Sequence, residues 1–337
     1  MTWSSCSLHA PTLSFSLFFT SRRSRGRDMS CPNLLLSNPR KLATLRLSKV
    51  SGHTTELLEI QSDKPTFHVL FIPGNPGVVS FYKDFLESLY ELLGGSASVT
   101  AIGHISHTEK TWEHGKLFSL QDQIDHKVDF IKQELQNNEL PIVLVGHSIG
   151  SYISLEILRF LEKVTYVIGL YPFLMLNPLS KQQSNIENVA GSSILSALVS
   201  FSVASLGLLP QCTLRFILSK SLGSSWSDTA IDAACSHLLQ YHTFRNMLYM
   251  ALMEFRKLSE MPDWAFMREN HEKIAFLFGV DDHWGPLQMF EEISKRVPGI
   301  SLSIEREGHT HSFCCTEAGS EWVAHHVASL IKKKLSS

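Results

Sequence analysis

Ser148 stands between Gly146 and Gly150 in the run IVLVGHSIGSY, residues 142–152. A serine hydroxyl is a weak nucleophile near neutral pH. It attacks only when an imidazole takes its proton and a carboxylate orients that imidazole. A G-x-S-x-G spacing serves this chemistry where a strand turns sharply into a helix. There the glycines relieve crowding, and the serine oxygen stands at the helix start above the sheet edge. The neighbours fit that context. Ile142, Val143, Leu144 and Val145 follow Pro141 as a buried strand would, and Tyr152, Leu155, Leu158 and Leu161 recur at helical spacing. The sequence therefore predicts a nucleophile at Ser148.

A serine on such a turn is followed in chain order by its acid and then its base. The acid should sit in a loop after a later strand, and IAFLFGVDDHWGP offers Asp281 and Asp282 directly after one. The G-x-x-D spacing from Gly279 favours Asp282. No acid falls between Tyr171 and Glu187, so an acid straight after the preceding strand is not expected. The base should follow the last strand. SIEREGHTHSF supplies His309 and His311, and Gly308 before His309 lets that loop bend toward the nucleophile. His104, His107, His126 and His283 read as ordinary loop or helix-surface residues, and His147 as a positioning residue at most. Acyl transfer also needs two backbone N–H groups aimed at the developing oxyanion. Ile149, the residue after the nucleophile, supplies one at a helix N-terminus. The loop Pro73-Gly74-Asn75-Pro76-Gly77 supplies the other. Its prolines have no N–H, so Asn75 is the natural donor.

These residues need a scaffold. From about residue 42, strand and helix signals alternate, opening with a hairpin around Ser51-Gly52. Such alternation predicts an α/β fold, a mostly parallel sheet with helices on both faces. The rhythm stops after Pro172 and resumes at KIAFLFGVDD. The expectation is one α/β domain over residues 41–337, with a helical lid inserted at about 174–270. Such an insertion lies over the carboxyl edge of the strands, where open α/β sheets bind ligands. Residues 188–214 hold no charged side chain. The stretch ILSALVSFSVASLGLLP reads either as a buried lid helix or as a surface that docks on lipid, since both need apolar residues.

Composition narrows the classes. Of 337 residues, 44% are hydrophobic and 18% charged, with net charge −2. No basic excess points to nucleic acid. The six cysteines show neither CxxC spacing nor a regular framework, as expected of reduced thiols. Residues 1–40 read as a flexible extension. Its first 28 residues are rich in Ser and Arg with no acid before Asp28, which fits either an unstructured segment or an organelle transit peptide.

Three segments together resemble the lipid droplet-associated hydrolase family of the α/β-hydrolase superfamily: FIPGNPG, GHSIGSY, and the GxxDxWxP run from Gly279 to Pro286. LQDQIDHKVDF is similar to the family's segment before the nucleophile strand. The resemblance spans roughly Phe67 to Leu330 and is weakest in the lid. It places the family's catalytic serine on Ser148 and its aspartate on Asp282. The family's histidine, followed by a small residue and Phe, falls on His311-Ser312-Phe313. The resemblance implies a serine esterase acting on lipid or sterol esters at lipid droplets, with weak activity and no metal or organic cofactor. Epoxide hydrolases and dehalogenases of this fold carry aspartate where Ser148 stands, which excludes them. Two alternatives stay open. One is a lipid-surface binding protein with an idle triad, and the other an acyltransferase using the same nucleophile.

Overall fold

The computed structural model describes residues 41–135, 139–221 and 225–336. The expected extension over residues 1–40 lies outside them. Strands β1 (Thr44–Val50) and β2 (His53–Ile60) form the opening hairpin. Ser51 and Gly52, both at positive φ, make its turn. β3 (Phe67–Ile72), β4 (Ala97–Ile102), β5 (Ile142–His147), β6 (Val164–Leu170), β7 (Ile274–Gly279) and β8 (Ser301–Glu305) complete one eight-stranded sheet. Its order is β1-β2-β4-β3-β5-β6-β7-β8. β2 runs antiparallel to both β1 and β4, and every other pair is parallel.

The apolar runs read from the sequence are the strands buried on both faces. β3, β4, β5 and β7 are buried along their whole length. Successive side chains point to opposite faces, so β3 feeds two cores. Val69 and Phe71 pack with α1 (Lys83–Leu92) and α11 (Glu317–Leu335). Leu70 and Ile72 pack on the other face with α2 (Leu120–Phe130), α3 (Ile149–Phe160) and α10 (Leu287–Arg296). A capping box at Ser119 and Asp122 starts α2, each side chain bonding the other's backbone N–H.

Between β6 and β7 the described residues form helices and no strand. They are α4 (Lys181–Gly191), α5 (Ser193–Leu206), α6 (Gln211–Ser221), α7 (Asp228–Ala233), α8 (Tyr241–Leu258) and α9 (Trp264–Glu269). The apolar stretch is α5, and it is not a buried helix. Its covered face carries Ser196, Ser200 and Val203. Ile194, Leu198 and Phe201, spaced four and three apart, are 76%, 60% and 67% exposed. Leu208 after α5 and Phe216 on α6 are exposed as well. No single helix among the described residues is long and apolar enough to cross a membrane, although α4 and α5, bent by 102°, reach that length and composition as a pair.

Candidate active site

The G-x-S-x-G turn has the geometry its glycines predict. Ser148 joins β5 to α3 at φ 54° and ψ −122°. A residue other than glycine held there stores roughly 1–3 kcal/mol of strain. Tight neighbours impose it. A Cβ on Gly146 would lie 2.2 Å from the Gly150 carbonyl oxygen, and one on Gly150 would lie 2.2 Å from that of Ile72. Ser148 N–H donates to Leu170 O at 2.9 Å, which fixes the turn to the end of β6.

Asp282 lies in the loop after β7 and is buried, whereas Asp281 and His283 face solvent. Asp282 Oδ1 accepts from Trp284 N–H at 2.9 Å. Asp282 Oδ2 lies 3.0 Å from His311 Nδ1. A carboxylate offers only acceptors, so Nδ1 carries the proton. In the neutral ring Nε2 is then the acceptor, and His311 and Ser148 line the same cavity. His309 stands elsewhere, with its ring 5.7 Å from Trp322 on α11 and its carbonyl accepting from Tyr171 Oη at 3.4 Å. Of the two candidate bases the fold brings His311 to the acid, and of the two candidate acids it brings Asp282 to the base.

His147 ties three loops together. Its Nε2 lies 2.9 Å from His311 O, a carbonyl that can only accept, so Nε2 donates. Its Nδ1 must therefore accept from Tyr82 Oη at 2.8 Å, and Tyr82 Oη in turn accepts from Gly74 N–H at 3.1 Å. Burial, and next the neighbouring His311, hold His147 well below its ordinary pKa. A ring kept neutral keeps one tautomer, so the chain Gly74–Tyr82–His147–His311 holds its directions. This chain sets the Asn75 loop against Ser148. A Cβ on Gly74 would stand 3.0 Å from that of Ser148. Ile149 opens α3 and is fully buried.

Three histidines depart from the surface reading. His104, His107 and His126 are buried. His107 Nδ1 accepts from Gly77 N–H at 2.8 Å, and so braces the loop that holds Asn75. His126 Nε2 lies 2.7 Å from Thr55 Oγ1, beside the buried Lys127. Burial pushes all three below the ordinary histidine value, which removes the charge that would have kept them at the surface.

The cleft also holds residues assigned no role from the sequence: Phe81, Tyr82, Phe173, Cys314 and, on α8, Ala251 and Glu254, together with Trp284 of the GxxDxWxP run. Glu254 is 3% exposed. Burial raises its carboxyl to about 8, opposed by a hydrogen bond from Asn75. Asn75 Nδ2 donates to Glu254 Oε1 at 3.1 Å and to Met247 O at 3.0 Å, joining the loop after β3 to α8. A signal was present in the sequence. Glu254 falls on the stripe Met247, Met250, Ala251, Leu258, where an acid is out of place. The cavity volume is about 40 Å³, well below the roughly 300–1,000 Å³ of ordinary ligand pockets.

The family model of lipid-droplet associated hydrolases matches residues 65–314. The chain belongs to that family. Relatives of it include the lipid droplet-associated hydrolase of Dictyostelium discoideum, 28% identical over 283 residues, 78% of this chain and 88% of that one. The Homo sapiens protein of the same description is 26% identical over 304 residues, 85% and 91% of the two chains. Among solved structures, a haloalkane dehalogenase from Bradyrhizobium elkani superposes with TM-score 0.66 at 14% identity, covering 87% of this chain and 99% of that one. A soluble variant of monoglyceride lipase from Saccharomyces cerevisiae does so with TM-score 0.59 at 13% identity, covering 91% and 99%. At these identities the two structures show the shared α/β-hydrolase fold alone.

Proposed function

We propose that this member of the lipid-droplet associated hydrolases is a serine hydrolase that cleaves carboxylic esters of apolar lipids at a droplet surface. The observation that carries this reading is the strained Ser148 turn sharing a cleft with the His311–Asp282 pair. His311 Nε2 takes the proton as Ser148 Oγ attacks the ester carbonyl. Asp282 holds the ring and stabilises the imidazolium that forms. The backbone N–H groups of Asn75 and Ile149 receive the oxyanion, the latter helped by the start of α3. The tetrahedral intermediate collapses to a Ser148 ester as His311 returns its proton to the leaving alcohol. Water, activated by the same imidazole, then releases the acid.

The insertion supplies the second half of the reading. In this proposal the exposed apolar face of α5, with Leu208 and Phe216, is the lid surface that meets the droplet. Contiguous apolar surface of this kind marks interaction sites on soluble domains. The cavity in this state is too small for an acyl chain, so an ester enters when α5 and α6 shift outward while α8 stays on the sheet through the Asn75–Glu254 bond. The small cavity also favours a second reading, a droplet-binding protein whose triad is idle.

A fluorophosphonate probe separates the two. Labelling confined to Ser148, and loss of at least about a thousandfold in esterase rate on Ser148→Ala with the fold intact, are the expected results. A folded Ser148→Ala variant as active as wild type on a short p-nitrophenyl ester would remove Ser148 as nucleophile. A wild type that neither labels nor hydrolyses would leave the binding protein.

A further inference from the structure

We infer that the Glu254–Asn75 pair is a recognition site for a free hydroxyl, so that the cleft selects esters whose alcohol part keeps one unesterified hydroxyl over fully esterified lipids. The inference rests on the hydrolase reading for its consequence, though not for its geometry.

The pair is unusual for its place. Glu254 is a buried carboxyl on the apolar stripe of α8, and it lines the cleft beside aromatic walls. Its Oε1 is occupied by Asn75 Nδ2. The orientation of that carboxamide is settled by its other partner. Met247 O can only accept, so the atom 3.0 Å from it is the NH2 nitrogen. Both hydrogens of Nδ2 are then used, one on Met247 O and one on Glu254. Asn75 Oδ1 remains, buried and without a hydrogen-bond partner. Such an orphan is rare in a folded protein and calls for an explanation.

What would satisfy the pair follows from counting donors and acceptors. Burial keeps Glu254 protonated at neutral pH, and a protonated carboxyl has one O–H to give. Asn75 has one acceptor to fill. A partner that both accepts and donates satisfies the two together, and a hydroxyl does this with one atom. The carbonyl and ether oxygens of a fully esterified lipid accept only, and would leave Asn75 Oδ1 buried and unpaired. Sites built to bond a hydroxyl reject the analogue that lacks it for this reason. One restored hydrogen bond of this kind corresponds to about tenfold in affinity. Phe173 and Trp284, packed edge to face at 5.2 Å, offer the neighbouring apolar wall.

The test reads binding without turnover. The full chain is titrated calorimetrically with 1-O-hexylglycerol, a hydroxyl-bearing ether that cannot be hydrolysed, and with its 2,3-di-O-methyl ether, which keeps the oxygens and loses the donors. The expected result is at least about tenfold tighter binding of the free diol. Glu254→Leu should abolish that ratio. Glu254→Gln, which keeps one acceptor and one donor, should preserve it. Equal affinities, a ratio that survives Glu254→Leu in a folded variant, or no binding of either compound up to its solubility limit would overturn the inference. The same titration on Ser148→Ala should give the wild-type ratio. An idle Ser148 therefore leaves this result untouched, and failure here leaves the hydrolase reading standing.

Discussion

The sheet and helix α5 of the insertion follow opposite rules of burial. In the sheet, β3 turns apolar side chains to both faces and packs each against helices. In the insertion, α5 turns serines inward and large apolar residues outward. Ser196 Oγ accepts from Arg245 of α8 at 2.6 Å, and Ser200 Oγ donates to Ser196 O at 2.7 Å, while Ile194, Leu198 and Phe201 meet solvent. Beside α5, α8 buries apolar residues such as Phe244, Met247, Met250 and Phe255, and adds polar ties to the sheet's loops. Asn246 Nδ2 donates to Ser106 Oγ and Lys116 O, His242 bonds Thr108 O, and His237, in the short turn before α8, bonds Glu56. The sheet is held by apolar area, which is non-directional. α8 holds the insertion over the sheet by both apolar area and directional bonds, whereas the apolar area of α5 is left over for something else. A region built this way suits an element that exchanges one environment for another.

The comparison can be broken at several places. The largest effect is expected in the sheet's own loops. His311→Ala should abolish fluorophosphonate labelling of Ser148, whereas His309→Ala should lower its rate only modestly, since the His309 ring rests on Trp322. Labelling rates by mass spectrometry decide it, and the reverse order would move the base to His309.

A smaller effect, confined to partitioning, is expected on the outer face of the insertion. Leu198→Asp with Phe201→Asp should move the protein from the floating lipid fraction to the soluble fraction. A charge near hydrocarbon costs roughly 2.5–3.5 kcal/mol on insertion scales. Both side chains already face solvent, so stability in solution should stay within about 0.5 kcal/mol. A folded double variant that floats like wild type would place the droplet determinant outside α5, and one that fails to fold would show that this face is packed.

The smallest effect is expected where the two regions meet. Glu254 titrates near 8 in the folded chain because of its burial, against about 4.3 when unfolded. Between those values the unfolded chain releases a proton that the folded chain keeps, so stability falls as pH rises. Below the lower value there is no cost, and above the higher one the cost is complete. Glu254→Gln cannot ionise. Its unfolding free energy should gain on wild type as pH rises from 5 to 8, by an amount on the order of a few kcal/mol at most, then level off. Tyr82, His147, His311 and Cys314 share the cleft and are common to both proteins, so the difference isolates Glu254. Parallel stability curves across that window would mean that Glu254 is not held neutral.

Much of this protein was readable along the chain, wherever the reason was local. The G-x-S-x-G turn is dictated by crowding among Gly146, Ser148, Gly150 and Ile72 O, and the first three of these are sequence neighbours. The apolar runs at 67–72, 142–145 and 274–278 are strands because the sheet buries both of their faces. The uncharged stretch at 188–214 announced itself by composition.

Tertiary structure decided what depends on direction and on partners far apart in sequence. Composition left α5 open to two readings, because a buried helix and a lipid-facing one need the same residues. Its orientation was settled by Arg245, 49 residues from Ser196, which draws the serine face inward. His309 and His311 are two residues apart and chemically equal. They differ because β7 brings Asp282 to one of them and α11 brings Trp322 to the other. His104, His107 and His126 looked like surface residues, since a histidine's burial depends on neighbours that remove its charge. Glu254 meets Asn75 across 179 residues. A carboxyl on an apolar stripe is visible in a sequence, but only the fold shows that it lies beside the amide whose oxygen still wants a donor.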